Sequence, residues 1–238
     1  MAEKQPLTPT LNSQIFLSHA DEDSKLLTPL IRKLREAGLS INTRQNAPPG
    51  SKEPERQAEK QIVSADQILF ALSPNSVVTE RCYQDIALAN RLQKRIVPIV
   101  ITELEGAPVT DTISRLRYIY LTPPADPALA INSLLKALTT NVEPLHKHTQ
   151  LTEKAYLWDQ NGRNHKHLLR NQELEQAEQW LATPPAHTPP PAILQQQFIL
   201  SSRKQETQRS QRHVKVLSGL LAVSLLSGGI AWAQLISS

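Results

Sequence analysis

The sequence contains few of the residues on which several classes of protein depend. Its 238 residues include one cysteine, which excludes an intramolecular disulfide and a zinc site built from several cysteines. With only seven glycines, the chain has neither a G-x-x-x-x-G-K-[ST] loop nor a G-x-G-x-x-G turn, the two common fingerprints for nucleotide phosphates. The first residues, MAEKQPLTPTLNSQ, lack the apolar stretch of a secretory signal peptide. We therefore expect the folded part to lie in a reducing compartment.

Histidines occur in two HKH triplets, which raises the question of a metal site. The pairs are His146 with His148 and His165 with His167. Residues two apart do not share a face of a helix, and no cysteine or acidic cluster accompanies either pair. The sequence therefore predicts no metal site.

One uncharged apolar run lies near the C-terminal end. Residues 216–236, VLSGLLAVSLLSGGIAWAQLI, have a length that suits one bilayer crossing, which takes about 20 residues. Basic residues precede the run, and the positive-inside bias then keeps the large N-terminal part in the cytoplasm. Because this position explains the basic residues, no nucleic-acid partner is predicted. We expect a single-pass membrane protein with these membrane-associated residues: Arg203, Lys204, Arg209, Arg212, Lys215 and Trp232.

Short apolar strands alternate with helices in the first 140 residues. The strand segments read QIFLS, LSINT, QILFAL, RIVPIVI and RYIYL. Strands that are apolar throughout indicate a parallel sheet buried on both faces, so we predict an α/β flavodoxin-like, doubly wound, five-stranded sheet. The predicted organisation is a disordered N-terminus (1–13), the α/β domain (14–140), a helical linker region (141–182), a proline-rich spacer (183–191), a basic juxtamembrane helix (192–215) and a transmembrane helix (216–236).

The strand order expected for this fold, 2-1-3-4-5, places a ligand crevice at the carboxyl ends of the first and third strands. Polar residues follow both strands at that edge. The candidate crevice residues are Ser18, His19, Ala20, Ser73, Asn75 and Ser76.

A helix predicted to run on from Ser76 carries an acid on its apolar side. A step of about 100° per residue gathers its apolar side chains on one arc, and Asp85 falls inside that arc. A buried carboxylate is costly unless it is paired or used. Asp85 is therefore either a structural carboxylate, with Arg81 or a neighbouring chain as a candidate partner, or a functional group at the rim of the crevice.

Five boxes in order resemble the TIR (Toll/interleukin-1 receptor) domain family of the bacterial type. They are FLSHADED, APPG, ADQILFALSPNS, CYQDIALA and KRIVPIVI, which cover about residues 14–139. The downstream segments HTQLTEKAYLWDQNGR, LLRNQELEQAEQWL and LQQQFILSS resemble the region that follows TIR domains in bacterial proteins with a transmembrane helix, many of which continue into WD repeats.

The resemblance implies two kinds of function. TIR domains are signalling modules that self-assemble, partly through a loop whose positions here are Pro48, Pro49 and Gly50. Many bacterial members also cleave NAD+ as a substrate, with a catalytic Glu whose position is held here by Asp85. Because Asp is one methylene shorter, and a misplacement of about 1 Å can cost roughly 100-fold in rate, we favour a signalling and assembly protein without a cofactor. An NAD+ nucleosidase of a defence or stress pathway is the alternative. The expected partners are other TIR domains in a homo-oligomer, the membrane and a separate sensor protein.

Overall fold

Five strands form one parallel sheet in the order β2-β1-β3-β4-β5. The computed structural model describes residues 13–44, 53–186 and 188–211. The strands are β1 (Gln14–Ser18), β2 (Ser40–Thr43), β3 (Gln67–Leu72), β4 (Arg95–Val100) and β5 (Ile119–Tyr120). The predicted α/β class, parallel sheet and strand order are confirmed. The fifth strand is shorter than the sequence suggested, because only two of its residues pair with β4.

Helices cover both faces of the sheet, as the uniformly apolar strands require. Helices α1 (Ser24–Glu36) and α5 (Pro127–Thr139) pack on one face. Helices α2 (Glu53–Ser64), α3 (Glu80–Arg91) and the short α4 (Asp111–Ser114) pack on the other. Alternate side chains of the central strand β3 enter the two cores, and all six of its residues are buried.

Helix α3 begins at Glu80, four residues later than the predicted start at Ser76. The segment before it forms a turn in which the Ser73 and Ser76 hydroxyl groups bond to backbone groups of the same turn. Such local side-chain bonds compete with helix formation. As a result, Val78 is 72% exposed and does not join the apolar arc of α3.

A second, smaller core lies beyond the sheet. Helices α6 (Val142–Gln160), α7 (Asn171–Ala182) and α8 (residues 193–211 in the described part) form the helical segment, a name used below for residues 142–211. The Trp158 and Phe198 rings meet at 5.5 Å between centroids. Leu169, Leu174 and Ile199 complete this core. The helical segment therefore has a core of its own, and it contacts the sheet domain through α2 and α6.

The predicted membrane-spanning helix requires a correction. Within residues 13–44, 53–186 and 188–211, no helix is long and apolar enough to cross a bilayer. This finding is against the predicted fold class with a transmembrane helix and against the predicted single-pass membrane location. Helix α8 is amphipathic instead: it buries Phe198 and Ile199, while Arg203 pairs with Glu178 of α7. The predicted span 216–236, which includes Trp232, lies outside the described residues. Arg212 and Lys215, which precede it, and residues 1–12 also lie outside them.

Candidate functional site

The carboxyl ends of β1 and β3 lie side by side, and polar side chains gather at this edge, where the sequence predicted a crevice. Ser18 is the last residue of β1, and Ser73 follows the last residue of β3. The winding of the sheet reverses at these two strands, which is where ligands of open α/β sheets bind. Two buried carboxylates, Asp85 and Asp23, occupy this edge. The edge at which the sequence predicted a crevice therefore holds two of the buried acids of the described residues.

Asp85 of α3 has both carboxylate oxygens engaged by the protein. The Ser18 hydroxyl donates to Oδ2 at 2.9 Å, and Nη2 of Arg44 donates to Oδ1 in an ion pair. The Asp85 side chain is 6% exposed and that of Arg44 is 13% exposed. Burial raises the pKa of Asp85, while the Arg44 charge and the Ser18 hydrogen bond lower it. The candidate partner Arg81 was wrong, because Arg81 pairs with the exposed Asp21 at 3.2 Å.

A second carboxylate, Asp23, organises the loop after β3. It accepts hydrogen bonds from Oγ of Ser73 at 2.5 Å and from Nδ2 of Asn75 at 3.2 Å. Oγ of Ser76 accepts in turn from the backbone N–H of Ser73 at 2.9 Å. Asp23 therefore holds the loop after β3 against the segment that follows β1.

The other candidate crevice residues are used within the protein as well. Ser18, Ser73, Ser76 and Ala20 are buried. His19 is half-buried, and its Nδ1 lies 2.7 Å from the Ala20 carbonyl oxygen, which places the ring proton on Nδ1. The structure thus brings the predicted residues to one edge, where they bond to one another and to Asp23 and Asp85.

Cys82 lies beside Asp85 on the buried side of α3 and is 1% exposed. Burial, together with the Asp85 charge, raises the pKa of the thiol to about 12. A thiol with so high a pKa is almost wholly protonated near neutral pH and is a poor nucleophile. Cys82 is therefore a packing residue of the α3 face.

Sequence reasoning missed Arg44 and Asp23 as members of this site. Arg44 directly follows β2, at the same edge of the sheet as Ser18, and this position was the one available signal. The loop residues Pro48, Pro49 and Gly50, predicted for self-association, lie outside the described residues.

Comparison with known proteins identifies the sheet domain. The model of the TIR domain family matches residues 15–135, just over half of the chain. The search of curated proteins found no match to this chain. Among solved structures, the TIR domain of the Toll-related Receptor TRR-2 from Hydra magnipapillata is 16% identical over 53% of this chain and 98% of that chain, with a TM-score of 0.45. Neither comparison supports the narrower resemblance to bacterial TIR proteins with WD repeats. The five-stranded sheet and the match to residues 15–135 together show that the chain belongs to the TIR domain family.

Proposed function

We propose that this chain signals by assembling with other TIR domains, in a homo-oligomer of its own copies, and that it does not consume NAD+. The match of residues 15–135 to the TIR domain family supports assembly. One observation of the structure argues against NAD+ cleavage: each oxygen of Asp85 already accepts a hydrogen bond, one from Ser18 and one from Arg44. A carboxylate that acts on a substrate needs an oxygen within hydrogen-bond reach of the reacting group. At Asp85 such a group would compete with Ser18 and Arg44 for a buried carboxylate whose charge is already paired.

A change in the loop at 48–50 tests the assembly role. We expect Pro49→Ala to weaken self-association of the purified chain by about tenfold or more, because truncation of one of the few residues that dominate an interface costs about 2 kcal/mol and tenfold is about 1.4 kcal/mol. Sedimentation velocity over a concentration series measures the dissociation constant. Pro184→Ala, an exposed proline between α7 and α8, is the matched control and should leave the constant unchanged. The assembly proposal would be contradicted by a wild-type chain that stays monomeric at every concentration, or by a Pro49→Ala chain that associates as the control does.

NAD+ cleavage is the second candidate function, and one observation favours it. Burial raises the pKa of Asp85 at a crevice where α/β sheets bind ligands, and perturbed carboxylates cluster at catalytic sites. In this case NAD+ would be the substrate and Asp85 the catalytic carboxylate, with Ser18, His19, Ala20, Ser73, Asn75 and Ser76 around it. The ion pair with Arg44 weighs against this candidate, because it neutralises the charge that the reaction would use.

The helical segment is the natural place for a separate sensor protein to bind. It follows the TIR domain in the chain and exposes apolar side chains on α6 and α8, namely Leu157, Ile193 and Leu200. A sensor bound there would act on the TIR domain through the contact between α2 and α6.

A further inference from the structure

Charged and polar side chains gather at the amino-terminal edge of the sheet, opposite the crevice. Asp66 and Gln67 lie at the start of β3, and Lys94 and Arg95 lie at the start of β4. Asp66, Gln67 and Lys94 are 2%, 0% and 5% exposed. Burial of this many polar groups is costly unless each finds a partner. Several of the partners come from the helical segment.

The Lys94 ammonium joins the TIR domain to helix α6. Its Nζ donates to the carbonyl oxygens of Val63 and Ala65, both at 2.8 Å, and to Oγ1 of Thr149 on α6 at 3.1 Å. The protonated amine has three donors, which match these three acceptors, and burial lowers the pKa of Lys94 to about 7. The Thr149 hydroxyl donates onward to the Ala65 carbonyl at 3.1 Å, which closes a small network across the contact.

Further contacts align α6 along α2. Asp66 Oδ1 lies 3.3 Å from Nδ1 of His146, and Oδ2 of the same carboxylate accepts from the Gln14 backbone N–H at 3.0 Å. Near the other end of α6, the Tyr156 hydroxyl donates to Glu59 of α2. These bonds fix the direction of α6 as well as its position.

The connection into α6 is short and held at both ends. Helix α5 ends at Thr139 and α6 begins at Val142, with Asn141 in the left-handed conformation at φ 57°. Gln67 Nε2 donates to the Leu138 carbonyl at 2.7 Å, and Arg95 Nη1 donates to the Thr140 carbonyl at 2.8 Å. The same edge of the sheet therefore holds the end of α5, the turn and α6.

The helical segment is tied together internally as well. Gln195 of α8 donates through Nε2 to the His148 carbonyl at 2.9 Å and to Oγ1 of Thr152 at 2.8 Å. Together with the contact between Trp158 and Phe198, these bonds lock α8 onto α6. A displacement applied to α8 is thus carried to α6, and from α6 to Lys94.

We propose that the helical segment is an arm that docks as one unit at the amino-terminal edge of the TIR sheet, and that Lys94 is the residue that positions it. The crevice, with Asp85 and Arg44, lies at the opposite edge and is not the docking surface. The inference goes beyond the assembly role and holds whether or not the domain cleaves NAD+.

Hydrogen exchange of the full chain tests the docking. In Lys94→Met, the amides of α6 are expected to exchange at least about tenfold faster than in wild type, because two buried carbonyls and Thr149 lose their donor. Lys94→Met also disturbs the TIR domain itself, since Val63 and Ala65 belong to it. Thr149→Val disturbs the TIR domain less, because the Val63 and Ala65 carbonyls keep Lys94 as a donor and the side chain of α6 keeps its shape. We expect faster exchange in α6 of this variant, with the amides of β1 and β3 within about threefold of wild type.

The matched control is Lys136→Met, the same change at an exposed position on α5. It should leave exchange in α6 as in wild type. Unchanged exchange of α6 in both Lys94→Met and Thr149→Val would overturn the proposal. Equal acceleration of α6 and the sheet strands in Thr149→Val would overturn it too, because the segment would then not be a separately docked arm.

Discussion

Replacement of Arg44 by methionine is expected to destabilise the TIR domain by about 3–5 kcal/mol at neutral pH. The methionine keeps most of the packing of the arginine stem, but it leaves the Asp85 carboxylate buried without its ion pair, with the Ser18 hydroxyl still donating to Oδ2. An uncompensated buried charge costs far more than the loss of one exposed ion pair. Urea unfolding followed by circular dichroism measures the difference in free energy of unfolding.

The control for this prediction is Arg81→Met, which breaks the exposed pair with Asp21 and should cost less than about 1 kcal/mol. Asp85→Asn combined with Arg44→Met should cost less than the sum of the two single changes, because the pair interacts directly. Equal, small effects of Arg44→Met and Arg81→Met would mean that Asp85 does not depend on Arg44.

The deficit of Arg44→Met should also depend on pH. The Arg44 charge lowers the pKa of Asp85, so its loss moves that pKa further up. The folded variant then binds a proton at a higher pH than the unfolded chain does. The deficit relative to wild type is therefore full above the raised pKa of Asp85, and it shrinks as the pH falls through that value.

Acidification from pH 7 to pH 4.5 is expected to lower the free energy of unfolding of the helical segment by about 2–3 kcal/mol through the protonation of His148 alone. Burial, followed by the nearby Lys94 charge, lowers the pKa of His148 from 6.5 to about 4. The ring is 2% exposed and lies edge-on to Trp180, with centroids 5.9 Å apart. Between pH 6.5 and pH 4, His148 is protonated in the unfolded chain and neutral in the folded chain. The stability that the folded state has above pH 6.5 is therefore lost as the pH falls through this range.

His148→Gln isolates this contribution from that of other acids and bases. Its side chain does not titrate, so the loss of stability between pH 7 and pH 4.5 should be smaller than in wild type by about the same 2–3 kcal/mol. Urea unfolding at both pH values gives the comparison, with tryptophan fluorescence reporting on the environment of Trp158 and Trp180. Identical pH dependence of the two proteins would show that His148 does not carry the effect.

The strands could be predicted because they rest on local pattern, and their order followed from the fold class that this pattern predicts. Each strand is a short apolar run, and β3 is buried on both faces as its composition requires. The edge that holds Asp85 followed from the strand order. Its partner did not, because Arg44 and Asp85 are 41 residues apart and meet only once β2 and α3 have packed on the sheet.

The docking of the helical segment could not be predicted for a similar reason. Lys94 is an ordinary basic residue in the sequence, and its three acceptors come from the end of α2, the start of β3 and the middle of α6. Helix α6 also buries polar side chains such as His148, Thr149 and Thr152, which weakens the apolar periodicity that normally marks a packed face. The apolar run at 216–236 predicted a membrane-spanning helix on length alone, and the described helices contain none.

Release of nicotinamide from NAD+ tests most directly whether Asp85 is a structural carboxylate. The measurement compares the purified full chain at high concentration with Asp85→Asn and with Asp21→Asn, the same change at an exposed acid. If the carboxylate serves only the ion pair with Arg44, all three proteins release no more nicotinamide than buffer does. Release by wild type and Asp21→Asn that disappears in a folded Asp85→Asn would contradict this account and make the crevice a catalytic site.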